Sequence, residues 1–464
     1  MNRKIELLKN TFLVAIGRCS TQVLGFLLLP LYTSILSTTE YGNYDLLNTI
    51  SIFIIPFITL LMEEAMFRFL IDAKDDKEKG IVITQSVVLT LTNLLLVSLI
   101  ILIVGSIIKY DYTIYLILFI AASILSTLAG SCARGQGKFK IYSLFAFLSS
   151  FSTLLLNVLF IAVFRIGVVG LFLAYFIGNT LVSLWLLFKL KVHKMISLKN
   201  VNKKKMKEML GYSIPLVPNS ISWITINLSD RLIIAFFLGA ASNGIYAISN
   251  KFSTIINTFY SFFNMAWKES ASKALNDKEK DKFYNNIYIN LKHLLISVVI
   301  GLLAYLPVIF PILVNKDYHS AYIFIPFLLL SIYCSNLSSY SSGIFAAYKD
   351  TKVMGTSTII AAIINLVVNL TLINFIGLYA AAISTLVSTL IVYNYRMIKL
   401  KKYINLDKDK YGFMSMIIFG ILVFTYYSNN IIIYIVGLII GTIYPIYLNR
   451  GIINSIFKKL RRVK

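Results

Sequence analysis

The chain has 464 residues, of which 58% are hydrophobic and only 14% charged, with a mean hydropathy of +0.78. A soluble chain is about one quarter charged, and no aqueous core could hide this much apolar surface, so the expected solvent is lipid. The 44 Lys and Arg against 20 Asp and Glu give a formal charge of +24. They sit in short clusters between long apolar runs, the pattern of cytoplasmic loops, which argues against nucleic acid as the partner.

A helix needs about 20 apolar residues to cross the hydrocarbon. About fourteen such runs are read, near 12–35, 44–66, 81–107, 113–133, 141–164, 168–188, 212–238, 245–267, 287–313, 321–347, 353–374, 377–398, 411–428 and 431–449. They are continuous, without the alternation of barrel strands. The expected fold is therefore an all-α integral membrane protein of about 14 transmembrane helices. The basic start (Arg3, Lys4, Lys9) resembles a signal-peptide n-region. The run behind it carries Arg18, is too long for an h-region and lacks a small-residue cleavage site, so it is expected to stay as the first helix.

Alternate loops carry the basic residues: the N-terminus, 67–80, 134–140, 189–210, 268–286, 348–352, 396–410 and the tail from Arg450. The opposite set holds only Lys109, Arg165 and Lys316. Both termini are thus expected in the cytoplasm, and an even number of spans follows. Every external loop is about ten residues or fewer, too short for an external catalytic domain. The 189–210 loop reads either as an amphipathic helix on anionic headgroups or as a solvated tether.

No nucleotide, metal or cofactor site is expected. The string from Gly130 to Gln136 lacks the phosphate-gripping Lys and Ser/Thr. His193, His293 and His319 are far apart, and Cys19, Cys132 and Cys334 are scattered through apolar stretches. ATP hydrolysis is not expected, so uphill work would come from an ion gradient, the membrane potential or other proteins.

The halves echo each other. Leu36, Gly42 and Tyr44 recur as Leu238, Gly244 and Tyr246 at an offset of 202. Asn157 before Ile166 and Gly167 is echoed by Asn369 before Ile376 and Gly377. Both echoes fall at matching turns of a six-span unit, and an even number makes the repeat parallel. The expected organisation is a six-helix lobe at 1–189, a basic linker at 190–210, a second six-helix lobe at 211–400, and an extra C-terminal helix pair with basic tail at 401–464. Two matched lobes around a cavity suit alternating access.

The stretch from Ser229, Asp230 and Arg231 to Gly239, then Asn243, Gly244 and Tyr246, resembles the span seven–eight signature of Wzx-type polysaccharide biosynthesis flippases, the O-antigen and capsule repeat-unit translocases. Phe262 to Trp267 continues the similarity. Leu29, Pro30 and Leu31 leading to Glu40, Tyr41 and Gly42, then Glu64 and Arg68, fit the same pattern. The resemblance covers essentially the whole chain. It implies the multidrug/oligosaccharidyl-lipid/polysaccharide exporter superfamily, a two-lobed fold in the bacterial cytoplasmic membrane, and transfer of undecaprenyl-diphosphate-linked oligosaccharide to the outer leaflet. A polymerase or ligase would take the cargo there.

Ionisable groups within spans are costly and default to function. Arg18 lies roughly 9 Å into span one, where it either snorkels or grips a diphosphate with its planar fork of donors. Glu63 and Glu64 lie near the inner end of span two. Glu64 is spaced i, i+4 from Arg68 and forms either that pair or, like Glu63, an inner gate or proton site with Arg18. Asp230, Arg231 and Lys251 share a depth of roughly 10–12 Å. An Asp230–Lys251 pair with Arg231 free for cargo is the arrangement expected; a purely structural pair is its rival. Arg18, Arg231 and Lys251 are thus candidate diphosphate cations, and Asp230, Glu63 and Glu64 candidate coupling or gating groups, with H+ or Na+ as exchange ions. Tyrosines near span ends read as interfacial anchors, and Asn157, Asn219, Asn227, Asn264 and Asn369 as bridges between helices or cavity groups.

Rival readings are a lipid II flippase or a drug/cation antiporter of the same superfamily. A cation exporter would favour acidic cavity groups, whereas those read here are mainly basic. A membrane-embedded glycosyltransferase or polysaccharide polymerase would need a large external loop or an acidic catalytic cluster, and neither is visible in the sequence.

Overall fold

A computed structural model describes residues 25–454 apart from the single positions 276, 349, 408 and 429. Among these residues there are helices and no strands. The longer helices are α1 (Leu29–Ile35), α2 (Thr38–Thr59), α3 (Met62–Asp72), α4 (Asp76–Ile108), α5 (Thr113–Gly135), α6 (Phe139–Asn157), α7 (Val168–Lys189), α8 (Lys203–Ser213), α9 (Val217–Ala274), α10 (Lys280–Leu313), α11 (Ile325–Ala347), α12 (Thr351–Ile376), α13 (Leu378–Leu400), α14 (Gly412–Tyr427) and α15 (Ile431–Leu448).

Ten helical segments among the described residues are long and apolar enough to cross a membrane, eleven if α2 and α3, bent by 52° at their junction, make one crossing. Of the runs expected beyond these, the first lies mostly outside the described residues. The seventh and eighth both lie in α9, which is two helices meeting at Gly239, where the backbone leaves helical geometry (φ 81, ψ 173). The thirteenth is α14, of 16 residues. Fourteen crossings remain an expectation. The chain divides into two compact units, 1–244 and 245–464. The division lies beyond the basic 190–210 linker, so the first part of α9 belongs to the first unit.

In the first unit, α2 starts at a capping box. Ser37 Oγ accepts from the Glu40 amide at 3.2 Å, and Glu40 Oε2 accepts from the Ser37 amide at 2.9 Å. The helix stops at Leu60 and Leu61, both left-handed (φ 47 and 54). Such a conformation is costly for leucine. Neighbouring side chains take up the freed backbone groups: the Leu61 amide donates to Thr59 Oγ1 at 3.1 Å, and Asn93 Nδ2 on α4 donates to the Ile58 carbonyl at 2.9 Å. The bend puts Glu63 and Glu64 in the first turn of α3. α4 exposes Leu95 (72%) and Ile107 (74%), a face that only lipid makes tolerable.

In the second unit, the appended helices α14 and α15 pack on α10. Asn449 Nδ2 donates to Ser297 Oγ at 2.7 Å, and Tyr305 and Thr442 share a hydrogen bond of 2.9 Å. The Tyr322 and Tyr426 rings stack with centroids 3.9 Å apart, and each hydroxyl donates to the other's carbonyl. The 401–411 loop that leads into this pair is latched to α10. Asn285 Nδ2 donates to the Asn405 carbonyl at 2.9 Å, and Asn285 Oδ1 accepts from the Asp407 amide at 2.8 Å. Asp409 accepts from His293 Nε2 at 3.0 Å and lies 2.9 Å from Lys292 Nζ.

Burial would raise the Asp409 carboxyl, but hydrogen bonds from His293, Lys292 and the Tyr411 amide overcome it and hold the group below the usual carboxylate range. A depressed carboxylate contributes stability above its unfolded value, about 3.9, which is lost as pH falls through the folded one. Hydrogen exchange of 405–411, corrected for intrinsic rate, should therefore stay slow from pH 8 to pH 5 as far as Asp409 controls it, and accelerate below roughly pH 4. Asp409→Asn should accelerate it already at pH 7; equal protection in that variant would contradict the latch.

Candidate functional site

The site grows from the first echo. Gly42 on α2 and Gly244 on α9 meet backbone to backbone. A Cβ on Gly42 would strike the Ala240 carbonyl oxygen, and a Cβ on Gly244 would strike that of Thr38. Thr38 and Ala240, like Gly42 and Gly244, stand at the offset of 202 read in the sequence. The contact is thus reciprocal, each copy of the turn seated on the other, as across a local two-fold. Only glycine permits so close an approach.

Polar groups cluster beside this contact. Asn243 Nδ2 donates to the Gly42 carbonyl at 3.0 Å and lies 3.4 Å from Asp45 Oδ2. Asp45 Oδ1 accepts from Arg231 Nη1 at 2.9 Å, with side chains 10% and 18% exposed respectively. Arg231 therefore does not stand free for cargo, as the sequence suggested; it is held by Asp45. A buried cation in an apolar surround takes the nearest carboxylate, and Asp45 begins the run of span two only one turn beyond Gly42. The aromatic surround is Tyr41, fully enclosed, with ring centroids 6.0 Å from Tyr32 and 6.3 Å from Tyr44. Asn157, part of the second echo, bridges helices by donating to Tyr32 Oη at 2.9 Å.

The other predicted residues fall in three places. Arg18 lies outside the described residues, and with it every pairing proposed for Glu63 or Glu64 with that residue. Glu63 is 5% exposed, and its Oε2 has no hydrogen-bond partner among the described residues. Glu64 does not pair with Arg68: Arg68 Nη1 turns forward to Asp72 Oδ2 at 2.6 Å, while Glu64 Oε1 lies 4.0 Å from Arg134 Nη2. The reason is local competition, because Asp72 offers Arg68 a second i, i+4 carboxylate and the bend at Leu60 and Leu61 presents Glu64 to α5. Arg134 is further held over the Phe67 and Tyr142 rings, at 5.1 and 5.6 Å from their centroids. Asp230 is buried in the first unit and Lys251 is half-buried in the second.

One interior cation was missed. Arg396, assigned from sequence to a cytoplasmic loop, is only 8% exposed in the last turns of α13. Its guanidinium donates to Ser357 Oγ (2.8 Å), Ser342 Oγ (2.7 Å), Thr358 Oγ1 (3.2 Å) and the Ser338 carbonyl (3.2 Å). The signal that could have found it is the run of hydroxyls at 338–342 and 356–358, unusual in apolar helices and suited to a cation with five donors. Asp45 was equally visible, as a lone carboxylate at the start of an apolar run.

Comparison with curated proteins finds no match. Among solved structures the chain is similar to the lipid II flippase MurJ in an inward closed conformation, at 16% identity and a TM-score of 0.67, covering 96% of this chain and 100% of that one. It is similar to an inward-facing multidrug resistance MATE family transporter of the MOP superfamily, at 14% identity and a TM-score of 0.62, covering 84% and 98%. A mutant of the Vibrio cholerae MATE transporter VcmN aligns at 15% identity and a TM-score of 0.57, covering 85% and 96%. At these identities the likeness speaks for the fold, which is that of the transporters named. The MatE family model matches residues 215–371. The model described as polysaccharide biosynthesis protein matches residues 7–268, more than half of the 464, and the chain belongs to that family.

Proposed function

We propose that this protein is a flippase that carries undecaprenyl-diphosphate-linked oligosaccharide from the cytoplasmic to the outer leaflet of a bacterial cytoplasmic membrane by alternating access, with both termini cytoplasmic. The observation that carries the reading is membership of the polysaccharide biosynthesis family in a chain with the fold of a lipid II flippase. Arg18, Arg231 and Lys251 neutralise the diphosphate. Asp45 holds Arg231 until a cargo phosphate takes the place of its carboxylate. Asp230, Glu63 and Glu64 serve coupling or gating; Glu63, with a buried oxygen lacking a partner among the described residues, is suited to carry a proton rather than a charge. Chemistry on the sugar is left to other proteins, the chain acting as transporter.

A second reading, export of a cation in exchange for protons, is favoured by the MatE match at 215–371. Removal of the protein from its own cell separates the two. On the leading reading, lipid-linked oligosaccharide accumulates in the cytoplasmic leaflet and becomes labelled by an impermeant glycan oxidant in inverted vesicles but not in right-side-out ones. Normal labelling of right-side-out vesicles would refute it.

A further inference from the structure

A cleft of about 370 Å³ opens on the surface of the first unit between α6 and α7, lined by Leu148, Phe151, Leu155, Leu181 and Trp185 among others. Its walls are exposed: Phe151 by 41%, Leu155 by 51% and Leu181 by 59%. The two helices run antiparallel, because Gly178 packs on Thr153 while Gly170 packs on Phe160. The start of α6 and the end of α7 therefore reach the same membrane surface. There they carry Lys140 and Lys189, with Lys191 two residues beyond α7; all three are exposed, and among the described residues none of them forms an ion pair.

We propose that this cleft is a binding site for one acyl chain of an anionic phospholipid, with Lys140 and Lys189 holding the phosphate. The site is separate from the cargo cations and does not depend on the transported substrate. Three features select this occupant. The lining is almost wholly apolar at membrane depth, so a hydrocarbon chain fills it. Trp185 lies one turn, roughly 6 Å, below Lys189, at the depth where an indole bridges headgroup and chain. From Leu148 to Leu156 the cleft runs roughly 12 Å along α6, less than half of the roughly 30 Å hydrocarbon. That length suits an acyl chain confined to one leaflet and is too short for a long polyisoprenyl tail. Lys140 at the start of α6 and Lys189 at the end of α7, on the Trp185 side of the cleft, add the preference for negative headgroups.

The test uses the full chain in nanodiscs containing phospholipid brominated on its acyl chains, and reads quenching of tryptophan fluorescence. The chain has three tryptophans, Trp185, Trp223 and Trp267, so the signal of the cleft is the difference between the wild type and Trp185→Phe. At 10 mol% brominated lipid, phosphatidylglycerol is expected to quench that signal at least twofold more than phosphatidylcholine. The excess should disappear in a Lys140→Gln, Lys189→Gln double variant, whose exposed positions leave the fold intact. Equal quenching by the two lipids would mean an ordinary annular shell and overturn the site, as would an excess that survives in the double variant. Undecaprenyl phosphate at equal concentration should leave the quenching by phosphatidylglycerol in place; its full relief would assign the cleft to a polyisoprenyl tail and likewise overturn the proposal.

Discussion

Arg231→Met is expected to destabilise the protein by about 3 kcal/mol, because it strands Asp45 as a buried carboxylate without its cation. Breaking a buried pair from one side typically costs about 3–5 kcal/mol, and the residual exposure of Arg231 places the effect at the lower end. Removing both charges is a different matter, since a buried pair replaced by apolar residues of similar volume is often neutral. Asp45→Leu combined with Arg231→Met should therefore recover most of the lost stability while leaving transport impaired. Thermal unfolding of the detergent-purified variants measures this. A double variant as unstable as the single would show that the pair does not account for the loss.

Gly42→Ala and Gly244→Ala should each cost about 3 kcal/mol, the upper end for overpacking. In both cases the added methyl meets a backbone carbonyl, Ala240 for the one and Thr38 for the other. A flexible side chain could turn aside, whereas a carbonyl moves only with its helix. Gly301 and Gly355, also helical, have open space where a Cβ would go. Alanine there should be neutral or stabilising by up to about 1 kcal/mol through helix propensity. The contrast in melting temperature between the two pairs checks the reciprocal contact. Tolerance of alanine at both Gly42 and Gly244 would mean that the turns are not seated on each other.

Much of the architecture was legible because lipid imposes a simple rule on sequence: apolar runs of helical length, broken by basic clusters. The offset of 202 between Gly42 and Gly244 was legible too, although the sequence could not tell that the two glycines touch. Side-chain partners were harder. Glu64 and Arg68 have the favoured spacing, yet Asp72 has it as well, and spacing cannot choose between two acids on one helix. The break at Leu60 and Leu61 contains neither glycine nor proline; Asn93 and Thr59, which support it, act from side chains that hydropathy does not weigh. Arg396 was lost to a loop because it lies four residues from the end of α13, where a charge counts as interfacial unless its hydroxyl cage is known. Asp45 was passed over for the same reason at the opposite end of a run.

The most direct test is a leaflet assay in proteoliposomes holding fluorescent undecaprenyl-diphosphate oligosaccharide. The account predicts protein-dependent movement of the headgroup across the bilayer. A potential that favours export of negative charge should speed it, each 100 mV being worth about 2.3 kcal/mol per charge moved. Neutralising Arg18 and Lys251 together should slow it at least tenfold. No protein-dependent movement of the lipid-linked sugar, in vesicles where the same preparation exchanges a lipophilic cation for protons, would contradict it.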